Sequence, residues 1–135
     1  MDGARARSVS PRDWPRPKGY ANGVLVPPGR QMLYLAGMVG WDASEKIVPG
    51  GLPEQFEQAL RNVVAVVAEA GGKPDDVVRM LVFVTDKREY LESRRSIGDA
   101  WRRVMGKHFP AMALVEVKGL VEDGAKVEIE AIAAI

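Results

Sequence analysis

Between Val77 and Val84 the chain reads Val-Val-Arg-Met-Leu-Val-Phe-Val, apolar at every position but one. A short, β-branched run of this kind reads as a strand buried on both faces. Such a strand needs paired neighbours and covering layers, so the flanking residues must supply them. Upstream, Phe56, Ala59, Leu60, Val63, Val67 and Ala70 recur at three- and four-residue steps. That spacing places them on one face of a helix. Pro53 suits the first turn, where its missing N–H has no helical partner. Glu54 lies where the helix dipole favours a negative charge. Gly71-Gly72 is a stop signal, because glycine accepts the left-handed conformation that follows a helix end.

Downstream, Asp86 and Glu89 have the spacing of a capping box, which predicts a second helix. Its apolar face carries Tyr90, Ile97, Trp101, Val104 and Met105, with Arg94 beside them. Gly98 inside it costs about 1 kcal/mol against alanine, which suggests close packing there. Gly106 ends it. Residues 112–117 read as a strand, Asp123-Gly124 as a turn, and residues 126–133 as an alternating strand. On that last strand Val127, Ile129, Ala131 and Ala133 share one face, and Glu128 and Glu130 the other. Near the start, apolar runs at 23–26 and 32–37 flank Pro27-Pro28-Gly29-Arg30 and read as a β-hairpin. Residues 41–51 read as loop. The order β-β-α-β-α-β-β predicts a two-layer α+β domain, with two helices on one face of a mixed sheet. An apolar opposite face would need burial against another copy of the chain.

Composition narrows the function classes. The 135 residues suit one domain, with residues 1–17 as a polar N-terminal arm and 18–135 as the folded unit. Nineteen Lys and Arg against eighteen Asp and Glu leave a net charge of +1. That balance argues against a nucleic-acid partner, which needs a basic face to replace phosphate counterions. The absence of cysteine excludes a thiolate nucleophile and a thiolate metal site, and one histidine, His108, cannot build a multi-histidine site. No metal or other cofactor is expected. No apolar stretch reaches the ~20 residues that span a bilayer, and no apolar run follows the early arginines as in a secretory signal. A protein of the cytoplasm, with no membrane association, is the expectation.

Several stretches together resemble the reactive-intermediate deaminase family, RidA or YjgF-like. They are Gly19-Tyr20, Leu35-Ala36-Gly37-Met38, Ala59-Leu60-Arg61-Asn62-Val63, Ala70-Gly71-Gly72, the strand at 76–86, Phe109-Pro110-Ala111, and residues 127–133. The resemblance implies a chorismate-mutase-like fold assembled as a homotrimer, with small-molecule clefts at the subunit interfaces. It also implies cofactor-free hydrolysis of enamines and imines such as 2-aminoacrylate. Glu128 matches the family glutamate that positions water, and Tyr20 a cleft tyrosine. Read from the residues alone, Glu128 is a solvated carboxylate on an alternating strand and Tyr20 a cap on the core. Asn62 reads as a structural hydrogen-bonding residue.

One departure from the family bears on substrate. Family deaminases carry an arginine directly after the Pro-Ala pair, and here Met112 stands there. A guanidinium makes two parallel charge-assisted bonds to a carboxylate, whereas a thioether has neither donor nor charge. The expected substrate is therefore less anionic, unless Arg30, Arg94 or Arg95 reaches the cleft. Arg94 and Arg95 also fall near a position that often holds asparagine in the family. The substrate-binding candidates are Tyr20, Met112, Arg94 and Arg95, with Glu128 catalytic. The alternative is a non-catalytic, small-molecule-binding or chaperone-like homotrimer. RNA cleavage has been attached to some relatives, and the charge balance lends it little support here.

Overall fold

The computed structural model describes residues 4–135. In chain order its elements are β1 (Arg7–Val9), β2 (Gly23–Leu25), β3 (Met32–Tyr34), β4 (Met38–Val39), α1 (Leu52–Glu69), β5 (Val77–Val84), α2 (Lys87–Glu92), α3 (Arg94–Met105), β6 (Ala111–Glu116) and β7 (Val127–Ala134). The main sheet is ordered β3-β7-β5-β6, with β4 also paired to β7. Only β5 and β6 run parallel; the other pairs in this sheet are antiparallel. The sheet is therefore mixed, and α1 and α3 cover one of its faces, as the element pattern predicts.

Local chemistry explains where α1 begins and ends. The Gly51 N–H donates to Glu54 Oε1 at 2.7 Å, and Pro53 sits in the first turn. At the far end Gly71 has φ +90°, its N–H donates to Ala68 O, and the Gly72 N–H donates to Val67 O at 2.9 Å. These two bonds are a Schellman closure, which requires the left-handed residue that glycine supplies. The buried stripe of α1, from Phe56 through Leu60, Val63 and Val67, packs with Ile97, Trp101 and Met105 of α3 against Met80, Val82 and Val84 of β5 and Val127 and Ile129 of β7.

Four expectations change. The strands at 23–26 and 32–37 do not form a hairpin: β2 pairs with β1, and β3 pairs with β7. Pro27 and Pro28 have no N–H to give to a hairpin ladder, and after Gly29 (φ +91°) the chain leaves for the other sheet. There the N–H groups of Gln31 and Ile135 donate to each other's carbonyls, at 2.7 and 2.8 Å. Within the expected arm, residues 1–3 lie outside the described residues, and Arg7–Val9 form a strand rather than a loose tail. β5 is fully buried on its helix side only; Arg79 is exposed, and Leu81 and Phe83 are half-buried. The second helix is two helices, broken at Ser93. The Glu89 N–H does donate to Asp86 Oδ1 at 3.0 Å, but the Glu89 carboxylate accepts from Lys126 Nζ instead of closing a reciprocal box. Gly98 is not a close-packing site either, since a Cβ there would meet only Arg102 Nη1 at 3.9 Å.

Candidate functional site

Alternation along β5 decides where the predicted residues point. The parallel register sets Met112 beside Met80 and Leu114 beside Val82. Met80 and Val82 are fully buried under the helices, so Met112 and Leu114 face the helices too, and both pack against the core. Glu128 instead pairs with Phe83, the odd-numbered position of β5, and lies on the opposite face. Glu128 and Met112 therefore do not meet within one chain. A one-residue offset along a strand reverses the face, and the two residues fall on opposite sides of that offset.

On the helix side a groove of about 390 Å³ runs between α3 and β6. Met112, Leu114 and Phe109 form one wall, and Tyr90, Ile97 and Trp101 the other. The Trp101 and Phe109 rings stack with centroids 5.7 Å apart and planes within 6°. The Trp101 Nε1–H donates to His108 O at 3.0 Å, which leaves the indole's apolar face to the core and groove. Burial raises the Tyr90 phenol above its ordinary pKa of 10, against a smaller opposing effect of Arg94. The hydroxyl thus stays a neutral donor at physiological pH.

Lys18, Arg94 and Arg102 reach the same groove. Arg102 pairs with Asp99, whereas Arg94 spends its Nε–H on Leu91 O at 3.1 Å. Arg94 forms no ion pair among the described residues. A guanidinium is therefore present at the rim of the groove, although the floor at Met112 is apolar. Arg95, one residue on, is exposed. Arg30, the third candidate cation, is instead engaged with the arm, donating from Nη2 to Ala4 O at 2.9 Å.

On the open face of the sheet Glu128 is half-buried between the fully buried Val127 and Ile129. Its carboxyl group occupies the space over Gly37, where a Cβ would stand 2.8 Å from Glu128 Cδ. Gly37 is thus required for the carboxylate to lie where it does. The surrounding face carries Leu81, Phe83, Ile132 and the exposed Tyr34, so it is largely apolar around two acids. Tyr20 is 43% exposed and lines a separate cavity with Phe109 and His108. Ala21, next to it, is tied to the start of β6 by its N–H to Pro110 O at 3.0 Å. His108 Nε2 lies 2.6 Å from Val77 O; a carbonyl only accepts, so that nitrogen carries the proton.

Two structural residues hold these parts in register. Asn62 Nδ2 donates to Val39 O and Trp41 O at 2.9 and 3.0 Å, as expected of a hydrogen-bonding residue. Gln55, 3% exposed, was not singled out by sequence reasoning, although a polar residue beside a helix's apolar stripe is a usable signal. It donates to Gly124 O at 3.0 Å and accepts from the Lys126 N–H at 2.8 Å, fixing the entry to the strand that carries Glu128. Among the described residues no cluster of three His, Asp or Glu side chains could hold a metal ion, and no helix is long and apolar enough to cross a membrane.

Residues 16–135 match the family model described as Endoribonuclease L-PSP. The chain belongs to the RidA/YjgF family. It is 35% identical over 115 residues to the 2-iminobutanoate/2-iminopropanoate deaminase of Bos taurus, covering 84% of this chain and 78% of that one. It is 37% identical over 102 residues to the RutC family protein UK114 of Drosophila melanogaster, covering 75% and 70%. Among solved structures, a Rid-family protein of unknown function from Yersinia pestis superposes with a TM-score of 0.85 at 28% identity, covering 98% of this chain and all of that one. RidA from an Antarctic Psychrobacter gives 0.66 at 28% identity, covering 96% and 99%. The two-layer mixed sheet is thus the chorismate-mutase-like fold of RidA proteins, and imine deamination is an activity of this family.

Proposed function

We propose that this RidA-family chain hydrolyses imines or enamines of predominantly apolar compounds, in a cleft completed between copies of a homotrimer. The observation that carries the proposal is Glu128, a carboxylate lodged over Gly37 on an open, largely apolar sheet face. Hydrolysis of C=N needs a water held near the carbon and a group to manage its protons. The water oxygen attacks the imine carbon while Glu128 takes a water proton. That proton passes to the nitrogen, and the carbinolamine releases ammonia as the carbonyl forms. Because Met112 and Glu128 face opposite ways, a cleft that uses both draws one from each of two copies. The apolar sheet face around Glu128 favours such an association, since apolar area buried between copies is stabilising.

Met112 and Leu114 favour an apolar substrate body. Desolvating a carboxylate against them is costly, so a charged group is best served at the rim by Arg94. The test is ammonia release from enzymatically generated 2-aminoacrylate and from a neutral imine of an apolar aldehyde. The neutral imine is the better substrate by about tenfold or more, the worth of one charge-assisted bond. Met112→Arg raises turnover of 2-aminoacrylate. Glu128→Gln lowers turnover about a hundredfold or more, the usual contribution of a general base. Wild-type turnover of 2-aminoacrylate equal to that of an arginine-bearing family member refutes the substrate class. Saturable binding without any turnover refutes the enzyme in favour of a binding protein. A single protomer by light scattering refutes the shared cleft.

A further inference from the structure

Strand β1 lies ahead of residue 16, where the family match begins. It is nonetheless built into the molecule, paired with β2 through Ser8↔Val24 and Val9↔Gly23. One consequence is a cavity of about 340 Å³ walled by the arm on one side and by Tyr20 and residues 107–109 on the other. Two cations line it, Arg16 and Lys107, and no acidic side chain does. Neither cation has a hydrogen bond or ion pair among the described residues. The neighbouring cavity across β1 makes the contrast: its Arg5 and Arg7 face Asp75 and Asp76.

The remaining walls suit the same kind of ligand. Asn22 Nδ2 donates to Ser10 Oγ at 2.8 Å, which leaves the Ser10 O–H to donate elsewhere. Ser8 adds a second hydroxyl. Tyr20 and Phe109, 43% and 37% exposed, offer flat apolar surface. Small-molecule sites begin at about 300 Å³, so the space suits one ring and an acid group.

We propose that this arm-built cavity binds a small, flat-ringed carboxylate, with the acid between Arg16 and Lys107 and the ring against Tyr20 and Phe109. The site does not depend on Met112, Arg94 or Glu128, so it stands apart from the hydrolysis reading. Two uncompensated cations attract an anion at long range, and Arg16 can grip it through two parallel N–H bonds. The ring gains from burial against the aromatic walls.

The experiment is titration calorimetry of the full-length chain with benzoate, phenyl phosphate and benzyl alcohol. Benzoate binds saturably, and benzyl alcohol at least about tenfold more weakly, the worth of a charge-assisted bond. Arg16→Gln and Lys107→Gln each weaken benzoate about tenfold and leave benzyl alcohol unchanged. Both residues are exposed, and circular dichroism checks that the variants keep the fold. Equal affinity for benzyl alcohol and benzoate overturns the proposal, as does unchanged benzoate binding in a folded Arg16→Gln chain. Tighter binding of phenyl phosphate than of benzoate overturns the carboxylate assignment. The readout is binding, so it keeps its meaning even if the chain hydrolyses no imine.

Discussion

Replacing Gln55 by leucine tests how the strand that carries Glu128 is anchored. The side chain is 3% exposed and makes two bonds, to Gly124 O at 3.0 Å and from Lys126 N at 2.8 Å. Leucine fills a similar volume and makes neither. Each bond contributes about 1 kcal/mol net, and a buried partner left unpaired costs about 1–3 kcal/mol more. Gly124 is exposed, so water can reach its carbonyl and the penalty falls mainly on the half-buried Lys126 N–H. The expected loss is therefore about 3 kcal/mol, or a fall in Tm of about 10 °C for a domain of this size. Urea melts followed by circular dichroism measure it. Gln55→Glu sharpens the test. A buried carboxylate has its pKa raised by desolvation, and only its protonated form can still donate to Gly124 O. A group whose folded pKa is raised adds most stability below its unfolded value and loses it as pH rises. The Gln55→Glu variant is therefore least impaired in acid and most impaired at neutral pH. A Gln55→Leu loss below about 1 kcal/mol would show that water satisfies both backbone groups and that the anchor is dispensable.

Gly37→Ala pushes the Glu128 carboxyl off its seat, because the new Cβ lies 2.8 Å from Cδ; imine turnover falls about as far as in Glu128→Gln, and unchanged turnover would remove Glu128's placement from the mechanism. Gly98→Ala stabilises the chain by about 0.5–1 kcal/mol in a urea melt, since the added methyl replaces a helix-interior glycine and meets nothing closer than 3.9 Å. Glu57 has its pKa lowered, first by the hydrogen bond from Arg103 and then by that from Arg61. A lowered folded pKa adds stability above the ordinary carboxylate value of 4.5 and loses it as pH falls below that. Glu57→Gln should therefore flatten the acid limb of the stability curve, and a limb as steep as wild type in parallel urea melts would contradict this.

Much of the scaffold was legible because it is written locally. The limits of α1 follow from Pro53, Glu54 and the two glycines at its end, all within a turn of the features they control. The alternation in residues 127–133 correctly divides Val127 and Ile129 from Glu128 and Glu130. Asn62 could be read as structural because helix position and residue type both point that way. Even the break at Ser93 lies inside one apolar periodicity, where the pattern marks a helical face but not its continuity.

What escaped the linear pattern depends on partners far along the chain. β2 and β3 look like a hairpin because they are adjacent, yet their strand partners are Arg7–Val9 and residues 132–134, and nothing local names either. The facing of Met112 depends on its register against Met80, thirty-two positions earlier, and one step of slip would have turned it toward Glu128. The arm's cavity likewise joins Ser10 to Lys107 across nearly the whole length of the domain. Periodicity is a property of neighbouring residues and sets which element forms. Pairing, facing and cavities come from the closure of long loops, whose entropy cost is met only by the assembled core.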